Sequence, residues 1–320
     1  MRKSDFTTLE TVICPLCDGN DAEPWLRCVD PAASRNDTKW YLQRCKSCNM
    51  IFLNPRPTEA ASSVFYDQAE YLPFSSAAGQ QSLLSRVYAA ARRYNLKWKR
   101  NVVSKIHRHG RLLDVGCGTG EFLQKMQQAG WEVRGVERDP SAAQFAREHL
   151  QLKVITGGVE MLEQLHEKFE VITLWHVLEH LYQPKETLQK LKSMMSDEGV
   201  LIIAVPNVGG IDAKNYGEHW VALDVPRHVQ HFTLSTLQEM AARAGLKLLR
   251  SQQLPLDAFF NTLMSERRQA SLTHSPFLSW PLRMARSFFA AVSSLVAGGR
   301  MASGGSLGAT IIACFVKAEK

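Results

Sequence analysis

Four short strand-like runs recur along the middle of this chain, at Arg111 to Val115, Glu132 to Glu137, Phe169 to Trp175 and Gly199 to Asn207; the first, third and fourth are mostly apolar and read as buried, and the second reads as a strand that ends in an acidic residue. Between them the period changes. Phe122, Leu123 and Met126 recur at helical spacing directly after the first run, and Asp139-Pro140-Ser141 has the form of a helix start, because Asp caps free N–H groups and Pro is tolerated in a first turn. Lys247 to Gln253 and Gly308 to Lys317 read as two further strands that a hairpin would ordinarily join, yet the segment 254–307 stands between them. Upstream, Trp40 to Arg44 reads as a ribbon strand, Pro55-Arg56-Pro57 as a boundary, and Thr58 to Tyr66 and Leu83 to His107 as helices.

The junction of the first run with its helix carries the strongest chemical signal. Leu112-Leu113-Asp114-Val115-Gly116-Cys117-Gly118-Thr119-Gly120-Glu121 is a strand, a glycine turn and a helix start, and three alternating glycines let backbone N–H groups approach a nucleotide-like ligand with no Cβ in the way. A dinucleotide fingerprint needs a glycine at position 121, which is Glu, so the G-x-G-x-x-G pattern is not met. Glu137 closes the next strand about 20 residues on, the separation at which such a carboxylate meets ribose hydroxyls. His176-Val177-Leu178-Glu179-His180-Leu181-Tyr182-Gln183-Pro184 follows the third run, and Leu223-Asp224-Val225-Pro226-Arg227-His228 and His231-Phe232-Thr233 follow the fourth.

In this order, these blocks resemble class I S-adenosylmethionine (SAM)-dependent methyltransferases, and in particular the branch that includes the ubiquinone-biosynthesis O-methyltransferases, whose E-x-L-E-H-x-x-x-P signature appears here with His176 in place of the first Glu. The resemblance covers about residues 85 to 254. It implies an α/β fold with a Rossmann-like seven-stranded sheet of order 3-2-1-4-5-7-6, strand seven antiparallel, and a helical insertion, 255–305, before the last strand. It also implies SAM as cofactor. Asp114 would hold the glycine loop and the amino end of SAM, the backbone at Gly116, Gly118 and Gly120 its amino-acid portion, Glu137 the ribose, and Trp175 would wall the site. Methyl transfer needs in-line positioning and one base, for which His180 is the first candidate and His176 the second, with His228 and His231 on the acceptor side. For each histidine a purely structural role is the competing reading. Tyr66, Tyr71 and Tyr94 would help close the pocket, and a divalent metal beside Glu179-His180 is a further feature of the ubiquinone-type enzymes.

Cys14-Pro15-Leu16-Cys17 and Cys45-Lys46-Ser47-Cys48 form a second constellation. Two C-x-x-C knuckles supply four thiolates for a closed tetrahedral Zn²⁺ site, structural because no ligand position stays open. A thioredoxin-like pair lacks its βαβ context, and disulfides do not suit the rest of the chain, where Cys28, Cys117 and Cys314 read as buried thiols. The domain reading is a zinc ribbon over 1–57, a helical lid or linker over 58–110 and a methyltransferase domain over 111–320.

Composition adds limits. Seven Cys in 320 residues and a start without a charged-then-apolar leader point to the cytoplasm. A net charge of +7 permits anionic partners without demanding them. Within the insertion, Pro276 to Ala297 mixes aromatic and aliphatic residues with Arg283 and Arg286, and its apolar part is too short to span a bilayer. An interfacial helix on an anionic membrane fits this pattern, and a helical cap or homodimer contact fits equally. The absence of an Asn/Asp-Pro-Pro-Tyr/Phe sequence after the third run favours an oxygen acceptor over an exocyclic nitrogen. The expected function is therefore O-methylation of a small or lipid-linked intermediate, such as a glycan precursor or a quinone-like molecule. The alternatives are an rRNA base methyltransferase with a zinc module, which the Glu179-His180 block fits poorly and which would make nucleic acid a partner, and a SAM-binding interaction protein without turnover.

Overall fold

The N-terminal residues fold around two short sheets. Strands β1 (Leu9–Glu10), β2 (Ala22–Val29), β3 (Lys39–Cys45), β4 (Ile51–Leu53) and β5 (Arg56–Pro57) make up this part of the chain, with β1 paired to β5 and β2-β3-β4 antiparallel. In β3, Trp40 and Leu42 point inward and Tyr41 outward, the two-residue alternation of a strand with one face covered. These coordinates are a computed structural model that describes residues 8–30, 39–66, 83–253, 261–266, 268–269, 282, 285, 288–289 and 308–319.

Past β5 the expected helix over 58–66 is a single 3₁₀ turn, Ser62–Phe65. The Ser62 hydroxyl donates to the Glu59 carbonyl at 2.7 Å, and such a local side-chain bond competes with helix continuation. Helix α1 (Leu83–Ser104) then leads into the main sheet, built from β6 (Arg111–Val115), β7 (Glu132–Glu137), β8 (Val154–Thr156), β9 (Phe169–Trp175) and β10 (Met195–Pro206). Its intervening helices are α2 (Glu121–Gln128), α3 (Pro140–Glu148) and α4 (Pro184–Met194). Asp139 caps α3 as anticipated, its carboxylate accepting from the backbone of Ser141 and Ala142. After β10 come α5 (Ile211–Tyr216), two 3₁₀ turns, β11 (Gln230–His231), α6 (Leu234–Arg243), β12 (Leu246–Gln253) and β13 (Thr310–Lys317).

The main sheet has seven strands in the order β8-β7-β6-β9-β10-β13-β12, with β13 antiparallel to both neighbours. Counted along the sheet-forming strands this is 3-2-1-4-5-7-6, as the resemblance implies. The strands are apolar on both faces because helices cover both. Leu113, Val115, Ile172, Leu174, Leu201 and Ile203 face α4 and α6, while Leu112, Val171, Val200 and Ile202 face α1, α2 and α3.

The N-terminal module is joined to this domain rather than tethered beside it. Cys14, Leu16, Cys45, Met50 and Phe52 belong to the same apolar core as Leu188, Leu237 and Met240. Strand β11 adds antiparallel to β4, pairing Gln230 with Phe52 and His231 with Ile51, so the small sheet reads β11-β4-β3-β2. A third core, with Trp40, Leu42 and Leu53 on one side and Trp220, Leu223, Val225 and Val229 on the other, seals that junction. Most of the insertion 255–305 and Tyr71 lie outside the described residues. Among the described residues no helix is long and apolar enough to cross a membrane.

Candidate functional site

The glycine turn between β6 and α2 takes left-handed backbone at Gly116, Gly118 and Gly120, with φ of +71°, +56° and +80°. The N–H groups of Gly116 and Cys117 both donate to the Val136 carbonyl, which ties the turn to the end of β7. At Gly118 a Cβ would meet nothing within 4 Å, so its backbone borders open space, whereas at Gly120 a Cβ would strike Leu152 at 2.6 Å. The first glycine of interest thus serves access and the other packing.

Glu137 closes β7 beside this turn. Its Oε2 accepts from Gly118 N at 2.6 Å and its Oε1 from Asp139 N at 2.8 Å. The carboxylate is oriented by backbone and retains lone pairs for a further donor. Asp114 behaves differently from expectation, since it accepts from the Thr173 hydroxyl at 2.6 Å and the glycine loop is held by Glu137 instead. Burial pushes the Asp114 carboxyl up to about 7, against the Thr173 hydrogen bond and the nearby Lys99 charge. Thr173 sits beside Asp114 in the parallel register of β6 and β9, and a hydroxyl in the apolar second half of the strand was the signal that could have found it. Trp175 ends β9 with its ring buried, edge-on to Phe122 at 5.5 Å and under the Lys99 ammonium at 4.7 Å from the ring centroid.

The histidines gather past the same edge of the sheet. His176 has φ +59°, and its Nδ1 lies 3.4 Å from Glu179 Oε1. Glu179 is buried, and the His176 contact on its Oε1 is longer than a well-formed hydrogen bond. Burial opposes its charge, but the His176 contact and the His228 and His180 imidazoles hold its carboxyl below the usual range. A buried ionised carboxylate is costly unless neighbouring groups share its charge, and the imidazoles of His176, His228 and His180 do so here.

His180 has Nδ1 3.1 Å from the Arg227 carbonyl and 3.0 Å from the Tyr66 hydroxyl, and its ring packs edge-on to His228 at 4.5 Å. Burial, with His228 beside it, lowers its pKa to about 4, so the imidazole is neutral at physiological pH. His228 Nδ1 contacts the Ala222 carbonyl at 2.9 Å, and its ring centroid is 6.4 Å from that of His231, whose pKa burial pulls down to about 3. One ligand atom each from Glu179, His180 and His228 lies within 4.8 Å of the others, a spacing that could hold a metal ion. His176 and Tyr66 thus join the candidate site, while Tyr94 is exposed and in α1, with no contact to His180 in evidence.

The four cysteines converge as their spacing requires. Cys14 Sγ is 3.5 Å from Cys48 Sγ, Cys17 Sγ 3.5 Å from Cys45 Sγ, and all four lie within 4.8 Å of one another. These separations exclude S–S bonds of about 2.05 Å and approach the roughly 3.8 Å edge of a tetrahedron with Zn–S near 2.3 Å. Burial alone would raise the Cys45 thiol, but backbone N–H groups of Cys48 and Ser47 and the adjacent thiols bring it down to about 7, while burial pushes Cys14 and Cys48 up. Cys28, Cys117 and Cys314 are buried and unpaired with any other cysteine.

Residues 88–251 match the family model described as a methyltransferase domain. Over 101 residues, 29% of this chain and 37% of the relative, the chain is 33% identical to the mitochondrial ubiquinone biosynthesis O-methyltransferase of Schizosaccharomyces pombe. It is 33% identical to that of Haemophilus ducreyi over 30% of this chain and 45% of the relative, and 30% identical to that of Nitrosospira multiformis over 44% and 66%. The chain therefore spans less than half the length of the first two of these curated relatives.

Proposed function

The chain belongs to the methyltransferase domain family and is a class I SAM-dependent methyltransferase, and from that premise we propose that it methylates a hydroxyl oxygen of a small or lipid-linked acceptor. The observation that carries the oxygen-acceptor reading is the cluster of Glu179, His180 and His228 past the end of β9, in the segment whose Val177 packs against Gly116 of the glycine turn. When bound, SAM supplies an electrophilic methyl carbon on a sulfonium leaving group. The residues then have only to orient the acceptor and take its proton.

In this reading Gly118 leaves room for the cofactor, Glu137 takes the ribose hydroxyls with the lone pairs its backbone donors leave free, and Asp114 meets the amino end. His180 is the base: it is neutral, and Glu179, ionised beside it, stabilises the imidazolium that proton transfer creates. Glu179, His180 and His228 also have the donor set for a divalent cation, which would polarise the acceptor oxygen as a Lewis acid. Cys14, Cys17, Cys45 and Cys48 would hold a structural Zn²⁺ with no position left open for chemistry. The ubiquinone-type relatives support a quinone-like acceptor, and a glycan precursor is the other hydroxyl-bearing class this reading admits.

His180→Ala should lower methyl transfer by about 10²-fold or more with SAM affinity intact. Turnover by the variant at the wild-type rate would remove His180 as the base and pass the role to His176. Activity that collapses on chelation and returns with Mg²⁺ would favour the cation reading over the base alone.

A further inference from the structure

Outside the cofactor cradle, one charged group with many hydrogen bonds is also one whose backbone touches His180. Arg227 has a fully buried guanidinium. Its Nη2 donates to Asp30 Oδ1 at 2.6 Å and to Asp224 Oδ1 at 2.7 Å, its Nε to Asp224 Oδ1 at 2.9 Å, and its Nη1 to the Phe65 carbonyl at 3.1 Å and Asp30 Oδ2 at 3.4 Å. The planar fork fixes the residue from three directions at once. Asp224 belongs to the same turn, but Asp30 comes from the residue after β2, in the N-terminal module, and Phe65 from the 3₁₀ turn that follows it.

The carbonyl of this same residue lies 3.1 Å from His180 Nδ1. A carbonyl oxygen only accepts, so that contact requires the hydrogen on Nδ1 and leaves Nε2 with the lone pair. The Tyr66 hydroxyl, 3.0 Å from Nδ1, offers the opposite arrangement, because it can donate to a bare Nδ1 and stabilise the Nε2–H form. Two neighbours therefore compete over one nitrogen, and the outcome depends on whether the Arg227 carbonyl stays in place. The turn that carries it lies outside helix and strand, with Asp224 in left-handed backbone at φ +36° and its carbonyl accepting from His228 N at 3.0 Å.

We propose that Asp30 and Arg227 are positioning residues that lock His180 as the Nδ1–H tautomer, so that a side chain of the N-terminal module decides which ring nitrogen is basic. The role assigned to that nitrogen rests on His180 as acceptor-side base; the tautomer does not. Removing the Asp30 charge weakens two of the guanidinium's hydrogen bonds, lets the turn shift, and passes Nδ1 to Tyr66. Either use of Nε2, as base or as metal ligand, then loses its free lone pair.

The test is long-range ¹H–¹⁵N correlation on full-length, ligand-free protein labelled at histidine, with His180 assigned by the signals that vanish in His180→Gln. Wild type and Tyr66→Phe should show Nδ1 protonated and Nε2 bare. Asp30→Asn, which keeps the shape and removes the charge, should lose that single tautomer while SAM affinity by calorimetry is unchanged. Should Asp30→Asn fail to fold, Arg227→Lys, which keeps the charge and removes the fork, should give the same loss. An Nε2–H tautomer in wild type, or a wild-type tautomer in the folded variant, overturns the proposal. Unimpaired turnover by His180→Ala would instead overturn the base reading and leave the tautomer result standing.

Discussion

The two halves of the site are built in opposite ways. The cofactor half comes from neighbouring strands and one turn: Asp114, the glycines, Glu137, Thr173 and Trp175 all sit at ends of β6, β7 and β9, and their hydrogen bonds follow the parallel register. The acceptor half is gathered from remote segments, with Asp30 from the N-terminal module, Tyr66 from the end of the 3₁₀ turn that follows it, Glu179 and His180 after β9, and Arg227, His228 and His231 from the connection to α6. A sheet edge can supply a generic cradle for a shared cofactor. The partner-specific half requires tertiary joints, and here the joint is the small sheet completed by β11.

If the halves are separate constructions, they should fail separately. The largest effect is expected from Gly118→Arg, which places a side chain in the open space and a non-glycine residue at φ +56°. SAM binding should vanish by calorimetry while hydrogen exchange in residues 39–53 stays at wild-type protection; unchanged affinity would break the cradle assignment. Next, Cys45→Ser should release about one zinc per chain by elemental analysis and destabilise the module, because metal binding and folding of such modules are coupled. Exchange protection should fall in 39–53 and 222–233 but hold in 111–137. Equal loss across all three would show that the halves fold as one.

A smaller, graded effect concerns Asp114. Its folded pKa of about 7 is above the ordinary carboxylate value, so the ligand-free protein carries a proton there below neutrality. An ammonium group on SAM needs the ionised form. Affinity should therefore be constant above pH 7 and fall by up to about tenfold per pH unit below it, with net proton release on binding in that range. Asp114→Asn should flatten the profile, and a flat wild-type profile would place the amino end elsewhere. The weakest effect is expected at Leu282, Phe288 and Phe289, which are 65%, 62% and 70% exposed. As an interfacial element they should give salt-sensitive co-sedimentation with anionic liposomes, reduced in Phe288→Asp with Phe289→Asp. Equal sedimentation of both proteins would assign the segment to a cap or dimer contact.

The same division explains what could be read from residues alone. Strands β6 and β9 were legible to the residue because strands buried on both faces are mostly apolar, β7 because its Val133 and Val136 close on an acidic residue at the expected distance from the glycine turn, and the Asp139 cap because capping is local. The cysteine knuckles were legible because a metal site imposes its own spacing. Asp30 was not, since its partner Arg227 is 197 positions away and nothing in β2 marks it. Tyr66 was anticipated near the pocket but its contact with His180, 114 positions on, was not. Strand β11 has two residues, too few to show any period, and Glu137 took the loop-holding role assigned to Asp114 because its backbone donors lie beside it.

The pairing of β11 with β4 also sets an order of assembly. During synthesis β2, β3 and β4 leave the ribosome long before Gln230 and His231 do, so the outer edge of β4 stays open, with its apolar Ile51, Phe52 and Leu53, until most of the chain exists. Unpaired apolar edges recruit other chains. The nascent N-terminus is thus the stage of this protein's life most exposed to misassembly, and early closure of the cysteine knuckles, which order that strand from its other end, would be its natural protection.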